Sequence, residues 1–339
     1  MLNYDKKTVP TSLGNIELIT LRSPDMEVKL TSYGAAIFEI NVLDQCVTVQ
    51  PKDLEDFLKS PFFYGKTIGR TSGRLVLPSY KINDKTYPIS SFGGKNVKLH
   101  GGKNGFAFQH FQVDSIKVDT NQVSVVFSYL SQDMEEEYPG NLELKVIYTL
   151  DLNLGLLIEF VSKSDQDTLC NLTNHAYFNL VTEKETILDH HIVIHADHYL
   201  DINEEMIVKS KEKVYDKPFD FNQVSHLGES IKQMLDTPFR GFDHTWIFNR
   251  KNNQIEIDEP FSLVKLVVDT SYPSVVIYTH NFPVQHKLNP IKGHGIHSSF
   301  TLECQYEPGG IHHDYLHSGI LLRNECYEHY ILYRFIKKV

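Results

Sequence analysis

The chain has 339 residues, of which 41% are hydrophobic, 12% aromatic and 22% charged, a globular balance that excludes disorder, collagen and coiled coil. Thirty-three basic residues against 43 acidic ones leave a net charge of -10, which repels phosphate at long range and argues against a nucleic-acid partner. No apolar signal-like core opens the chain and no stretch approaches the ~18 apolar residues of a spanning helix, so the expectation is a soluble, cytoplasmic protein with no membrane partner.

The four cysteines, Cys46, Cys170, Cys304 and Cys326, are widely spaced without a CxxC pair and read as free thiols in a reducing compartment. No Gly/Ser/Pro-rich linker and no internal repeat divides the sequence, so a single domain over 1–339 is expected.

In chain order, the first helical signal is a short turn over Asp53 to Ser60. Asn83-Asp84 reads as a turn between Ile82 and Tyr87. Val123, Val125, Phe127 and Tyr129 then alternate with polar residues, and the like-charge run Glu135-Glu136-Glu137 reads as a solvated loop. After the turn Tyr138-Pro139-Gly140-Asn141, a second alternation runs through Leu142, Leu144, Val146, Tyr148 and Leu150, ending at Asn153-Leu154-Gly155. Ile192, Ile194 and Ala196 repeat the pattern. Val224, Leu227, Ile231 and Leu235 recur at helical spacing. Period two dominates and no β-α rhythm appears, which predicts an all-β fold, a large and mostly antiparallel β-sandwich with few short helices.

Two strand-like segments carry reactive groups on one face. From Cys170 to Leu180, Asn171, Thr173, His175, Tyr177 and Asn179 alternate with a mostly apolar set, Asn174 being the exception. From Phe300 to Gln305, Thr301, Glu303 and Gln305 lie opposite Phe300, Leu302 and Cys304. Alternation alone points first to solvent-facing outer strands, since a polar outer face is the norm. A Glu and a His on rigid strands, among hydroxyls and amides, would instead suit acid–base work on a polyol.

The segment Asn171-Leu172-Thr173-Asn174-His175-Ala176-Tyr177-Phe178-Asn179-Leu180 resembles the NLTNHxYFNL signature of aldose 1-epimerases, also called galactose mutarotases. Five further segments match in the family's order: Gly69-Arg70-Thr71-Ser72-Gly73-Arg74-Leu75, Leu99-His100-Gly101-Gly102 with Gly105-Phe106, Tyr138-Pro139-Gly140, Gly241-Phe242-Asp243-His244, and Leu302-Glu303-Cys304-Gln305. The resemblance implies a β-sandwich of the galactose-mutarotase type that interconverts α and β anomers of an aldohexose, with neither redox cofactor nor metal. By position, Glu303 would be the base on the C1 hydroxyl and His175 the acid on the ring oxygen. His100 would bind the sugar near the reacting end, Arg74 and Asp243 its other hydroxyls. Ordinary pKa values of ~4.3 and ~6.5 would give a carboxylate and a partly protonated imidazole at physiological pH.

Two positions depart from the family's pattern: Gly73, where many relatives have Asn, and Val276, where many have Gln. Both bear on sugar preference more than on reaction type. Phe282 reads as a core aromatic, with stacking on a sugar face as its alternative. The histidine clusters His190, His191, His195, His198 and His312, His313, His317 with Asp314 lack metal-ligand motifs, and no metal is expected. Three functions follow: an epimerase of a free monosaccharide, the same chemistry on maltose or a hexose 6-phosphate, and a silent sugar-binding protein. A phosphate would call on Arg70, Arg74 or Arg240. The segments 1–60 and 307–339 receive no functional assignment.

Overall fold

The computed structural model describes residues 1–293 and 295–338. Three antiparallel sheets carry the architecture. The largest has nine strands, in the spatial order Gln112–Val118, Gln122–Ser131, Leu142–Asp151, Gly155–Ser164, Cys326–Lys337, Val264–Thr270, Ile255–Asp258, His191–Ile194 and Ser225–His226. A five-stranded sheet is built from the first 46 residues, beginning with the hairpin Asn3–Thr11/Gly14–Arg22. The third sheet bears the site and consists of β1 (Ala196–Ile202), β2 (Val208–Lys213), β3 (Asp243–Phe248), β4 (Ser274–Tyr278) and β5 (Glu303–Gln305), in the order β2-β1-β3-β4-β5.

The alternations seen in the sequence set the core. Val123, Val125 and Phe127, with Leu150, Tyr148 and Val146 across from them, are fully buried, as is Leu142 at the far end of that ladder. They join Leu30 and Ile40 of the N-terminal sheet and Trp246, Val275 and Ile277 of the site sheet in one apolar cluster. This is the inner layer of a β-sandwich, as expected of strands with one packed and one polar face.

The helical expectations are refined. The first helix is Leu54–Lys59, capped by Asp53, whose carboxylate accepts from the Glu55 N–H at 2.8 Å. The second is only Leu227–Met234. Val224 lies before it and is 72% exposed, and Leu235 after it is 47% exposed. Its buried stripe is Leu227, Ser230, Ile231 and Met234. No helix of the described residues is long and apolar enough to cross a membrane.

The run Glu135-Glu136-Glu137 is not the solvated loop expected of it. Glu136 and Glu137 hold the ammonium of Lys98, a side chain only 1% exposed, at 3.1 and 2.6 Å, and Glu135 accepts from Tyr129 Oη at 2.6 Å. A buried cation explains the charge run, because an unpaired ammonium would be costly there.

Candidate active site

Cys170 to Leu180 does not form one continuous strand. Thr173–Asn174 pairs with Thr67–Ile68, and Tyr177–Phe178 pairs with Phe300–Thr301, so His175 stands at the break between two short ladders. All five polar-face residues are buried, which overturns the solvent-face reading. Most of them are structural. Asn171 exchanges two backbone hydrogen bonds with Tyr306 at 2.9 and 3.0 Å, and Asn179 donates to Ser298 O at 2.8 Å. Only His175 and Tyr177 reach the cleft.

That cleft, about 220 Å³, opens over the site sheet. Cross-strand pairing sets its floor: Glu303 lies opposite Val276, Val276 opposite Thr245, and Asp243 opposite Tyr278. Side chains directly opposite on one ladder share a face. All of these residues line the cleft, as do Arg74, His100 and His175 from the other side. The five residues singled out from the sequence, Glu303, His175, His100, Arg74 and Asp243, thus converge.

Glu303 is 3% exposed. Its Oε1 accepts from the Thr301 hydroxyl at 3.1 Å and lies 3.3 Å from His175 Nε2. Burial pushes the Glu303 carboxyl up to about 8, with the Asp243 charge adding to the rise and the Thr301 hydroxyl and Arg74 opposing it. Burial also pushes the His175 imidazole down to about 3. The sequence expectation of a free carboxylate beside a partly protonated imidazole is therefore corrected. In a desolvated site the uncharged pair, carboxylic acid and neutral imidazole, is favoured.

His100 sits at φ +48° on the turn that ends in Gly101 and Gly102. A Cβ at Gly101 would stand 1.8 Å from Gly69 O, so only glycine lets this turn close on the strand beneath. The Gly73 N–H donates to His100 Nδ1 at 3.2 Å, which leaves the ring proton of the neutral imidazole on Nε2 as a fixed donor. Burial, followed by the His175 and Arg74 charges, holds His100 well below the ordinary imidazole range. One ligand atom each from His100, His175 and Glu303 lies within 4.8 Å of the others. Local spacing gave no sign of this group, because its members are 75 or more residues apart. It is the one set here with metal-ligand chemistry among the described residues, but the proton on His100 Nε2 makes it a donor set first.

Arg74 Nη2 approaches Asp243 Oδ2 at 3.5 Å. Of the three arginines considered for a phosphate, only Arg74 lines the cleft. Arg70 is buried and spends its guanidinium on Ser131, Pro139, Gln132, Gly140 and Thr168. Gly73 lines the cleft at φ +71°, and a Cβ there would come within 2.5 Å of Pro308 Cβ. Pro308 thus occupies the space a longer side chain would need, and with it part of the C-terminal segment gains a place in the site.

Phe282 is 37% exposed at the cleft mouth, so the core-aromatic reading is corrected. No sequence signal marks Phe63, which packs edge-on to His100 at 4.9 Å and tilted to His175 at 5.9 Å, or Met206, whose Sδ accepts from Arg74 Nη2 at 2.8 Å. The histidine clusters marked in the sequence serve the fold. His190 Nε2 accepts from Leu180 N at 3.0 Å, His312 Nε2 from Val76 N at 3.2 Å, and His317 pairs with Glu307 at 2.9 Å.

An antiparallel β-sandwich whose sheet presents a buried carboxyl–imidazole pair among sugar-sized polar contacts defines a carbohydrate-acting acid–base protein. Comparison narrows the class. Residues 17–334 match the sequence profile of the family described as Aldose 1-epimerase. The chain is 31% identical to the human galactose mutarotase over 96% of both chains, and 24% identical to a maltose epimerase of Levilactobacillus brevis over 92% of both. Its fold is that of a galactose 1-epimerase from Lactobacillus acidophilus, with TM-score 0.87 and 24% identity over 100% of this chain and 99% of that one. The chain belongs to the aldose 1-epimerase family, and with it to the carbohydrate isomerases.

Proposed function

We propose that this protein exchanges the α and β anomers of a free aldohexose such as galactose or glucose, with Glu303 as base on the C1 hydroxyl and His175 as acid on the ring oxygen. The observation that carries this reading is the 3.3 Å approach of His175 Nε2 to Glu303 Oε1 on the cleft floor. Ring opening removes a proton from O1 and adds one to the ring oxygen. Rotation about C1–C2 turns the other carbonyl face, and the reverse transfers close the ring.

A pair holding a single proton suits this cycle. Burial favours that proton on Glu303 in the free protein, and the charged arrangement with the proton on His175 differs by one transfer across 3.3 Å. A sugar donating its C1 hydroxyl to the carboxylate and accepting at its ring oxygen from the imidazolium favours the charged arrangement. His100 then donates near the reacting end, while Arg74 and Asp243 hold hydroxyls remote from C1. The four free cysteines accord with a reducing, cytoplasmic setting.

Polarimetry or one-dimensional proton NMR on freshly dissolved α-glucose and α-galactose tests the reading. Acceleration toward the anomeric equilibrium supports it. A sugar that binds with no acceleration would mark a silent binding protein instead.

A further inference from the structure

The polar groups of the cleft end at Arg74 and Asp243, yet the sheet beneath continues for two more strands. Adjacent strands lie about 4.8 Å apart, so β5 to β1 spans roughly 14 Å, and a sugar ring with C1 at Glu303 covers about two of those three steps. Ile202 of β1 and Val208 of β2, paired across the ladder, line the cleft beyond that point. What happens at that end decides whether a second ring can follow the first.

The β1–β2 connection, residues 203–207, folds over that end. Asn203 Oδ1 accepts from Glu205 N and Ile207 N at 2.9 and 3.0 Å, and Met206 N donates to Asn203 O at 2.8 Å. Met206 itself is held at φ +59°. The tip is then tied across the cleft at two points. Asn96 Nδ2 donates to both carboxylate oxygens of Glu205 at 2.7 and 3.0 Å, and Arg74 Nη2 donates to Met206 Sδ at 2.8 Å. Asn96 immediately precedes Val97–Leu99, the strand paired with Arg74–Val76. The connection therefore bridges the site sheet and the hairpin that supplies Arg74.

We infer that Met206 is a specificity-determining stop that limits the site to single-ring aldoses and turns away aldoses carrying a second ring on the side opposite C1. A thioether placed against the last polar pair fills the space a substituent would need, and its sulfur is already taken by Arg74. The inference rests on the anomer-exchange reading above and assigns that reading its substrate class. The exposed Phe282 lies at the mouth and does not relieve this closure, because the bridge passes between the Arg74 hairpin and β1–β2.

The test follows anomer exchange by NMR for glucose and galactose beside the reducing disaccharides maltose and lactose, using the parent, Met206→Ala, Met206→Leu and Glu205→Ala. The parent is expected to favour monosaccharides by about 100-fold or more in kcat/KM, and Met206→Ala to narrow that gap by about tenfold through the disaccharide rates. Met206→Leu keeps the bulk and should keep the gap. Glu205→Ala frees the tip from Asn96 and should narrow it in part, independently of whether Met206→Ala folds. Maltose turned over by the parent within about threefold of glucose, or an unchanged gap in an active Met206→Ala, overturns the inference. A parent inactive on all four sugars overturns the anomer-exchange reading itself, and that is read from the monosaccharide arms alone.

Discussion

His175 Nε2 stands 3.3 Å from Glu303 Oε1, although the two residues are carried by separate segments, joined by the short ladder between Tyr177–Phe178 and Phe300–Thr301 and by the Asn171–Tyr306 and Asn179–Ser298 hydrogen bonds. Each is nearly sealed from water, and Phe63 backs the imidazole. Glu303→Gln keeps the size of the side chain and its contact with Thr301 but cannot accept a proton. Turnover should fall by about 10²–10⁴ with a smaller change in KM. Anomer-exchange rates measured across a sugar titration check this, and a variant within threefold of the parent would remove Glu303 as the base.

On the proposed mechanism the pair's titration sets the pH profile. Glu303 is pushed up to about 8 and His175 down to about 3, so between those values the two together hold one proton. As pH rises through about 8 that proton is lost, and kcat/KM for the free enzyme should fall on an alkaline limb there. Asp243 contributes to raising Glu303 and Arg74 opposes it. Asp243→Asn should therefore move the limb to lower pH, and Arg74→Gln to higher pH, whatever each does to sugar affinity. A limb that stays in place in both variants would sever it from Glu303.

Gly101 is a backbone requirement of the site. At φ +81°, with the would-be Cβ 1.8 Å from Gly69 O, an alanine must displace the turn that carries His100. Gly101→Ala should lower stability by about 1–3 kcal/mol and reduce kcat along with it, because His100 loses the Gly73 N–H that fixes its tautomer. Gly105→Ala is a useful comparison. Its added Cβ would also meet carbonyl oxygens, those of His100, Gly69 and Gly102, but no closer than 2.7 Å and without a positive φ, so a milder loss is expected. Denaturant unfolding and anomer-exchange rates measure the two effects.

Much of this was legible in the sequence, for reasons particular residues show. Val123 to Phe127 and Leu142 to Leu150 alternate because one face meets the core, and strand geometry makes that pattern unambiguous. Glu303, His175, His100, Arg74 and Asp243 were legible through short motifs whose glycines and ladders hold them. Met206 and Phe63 were not, since each is an apolar residue without periodicity and acquires its place only from a turn with positive φ and a partner far along the chain. The buried ammonium of Lys98 likewise could not be inferred from Glu136 and Glu137, because charge runs look alike whether their partner is water or a distant lysine. Helix ends failed at Val224 and Leu235, where spacing continued past the packed stripe.

Lys66 offers a test of the fold apart from the site. Its side chain is fully buried, donates to Leu58 O at 2.8 Å and lies over the Phe108 ring at 4.7 Å, with no carboxylate partner among the described residues. Burial pushes its ammonium from 10.5 down to about 7. Between those values the unfolded chain binds more protons than the folded one, so this group makes stability rise with pH from about 7 to 10.5 and withdraws that stability as pH falls back through 7. Lys66→Met keeps the packed volume and removes the titration. Its own cost is the hydrogen bond to Leu58 O, about 1–3 kcal/mol and independent of pH. The stability difference between parent and variant, followed by denaturant unfolding from pH 6.5 to 10, should therefore shift steadily in the parent's favour as pH rises. A constant difference would mean that Lys66 keeps its charge in the folded protein, held by polarity that its surroundings do not otherwise display.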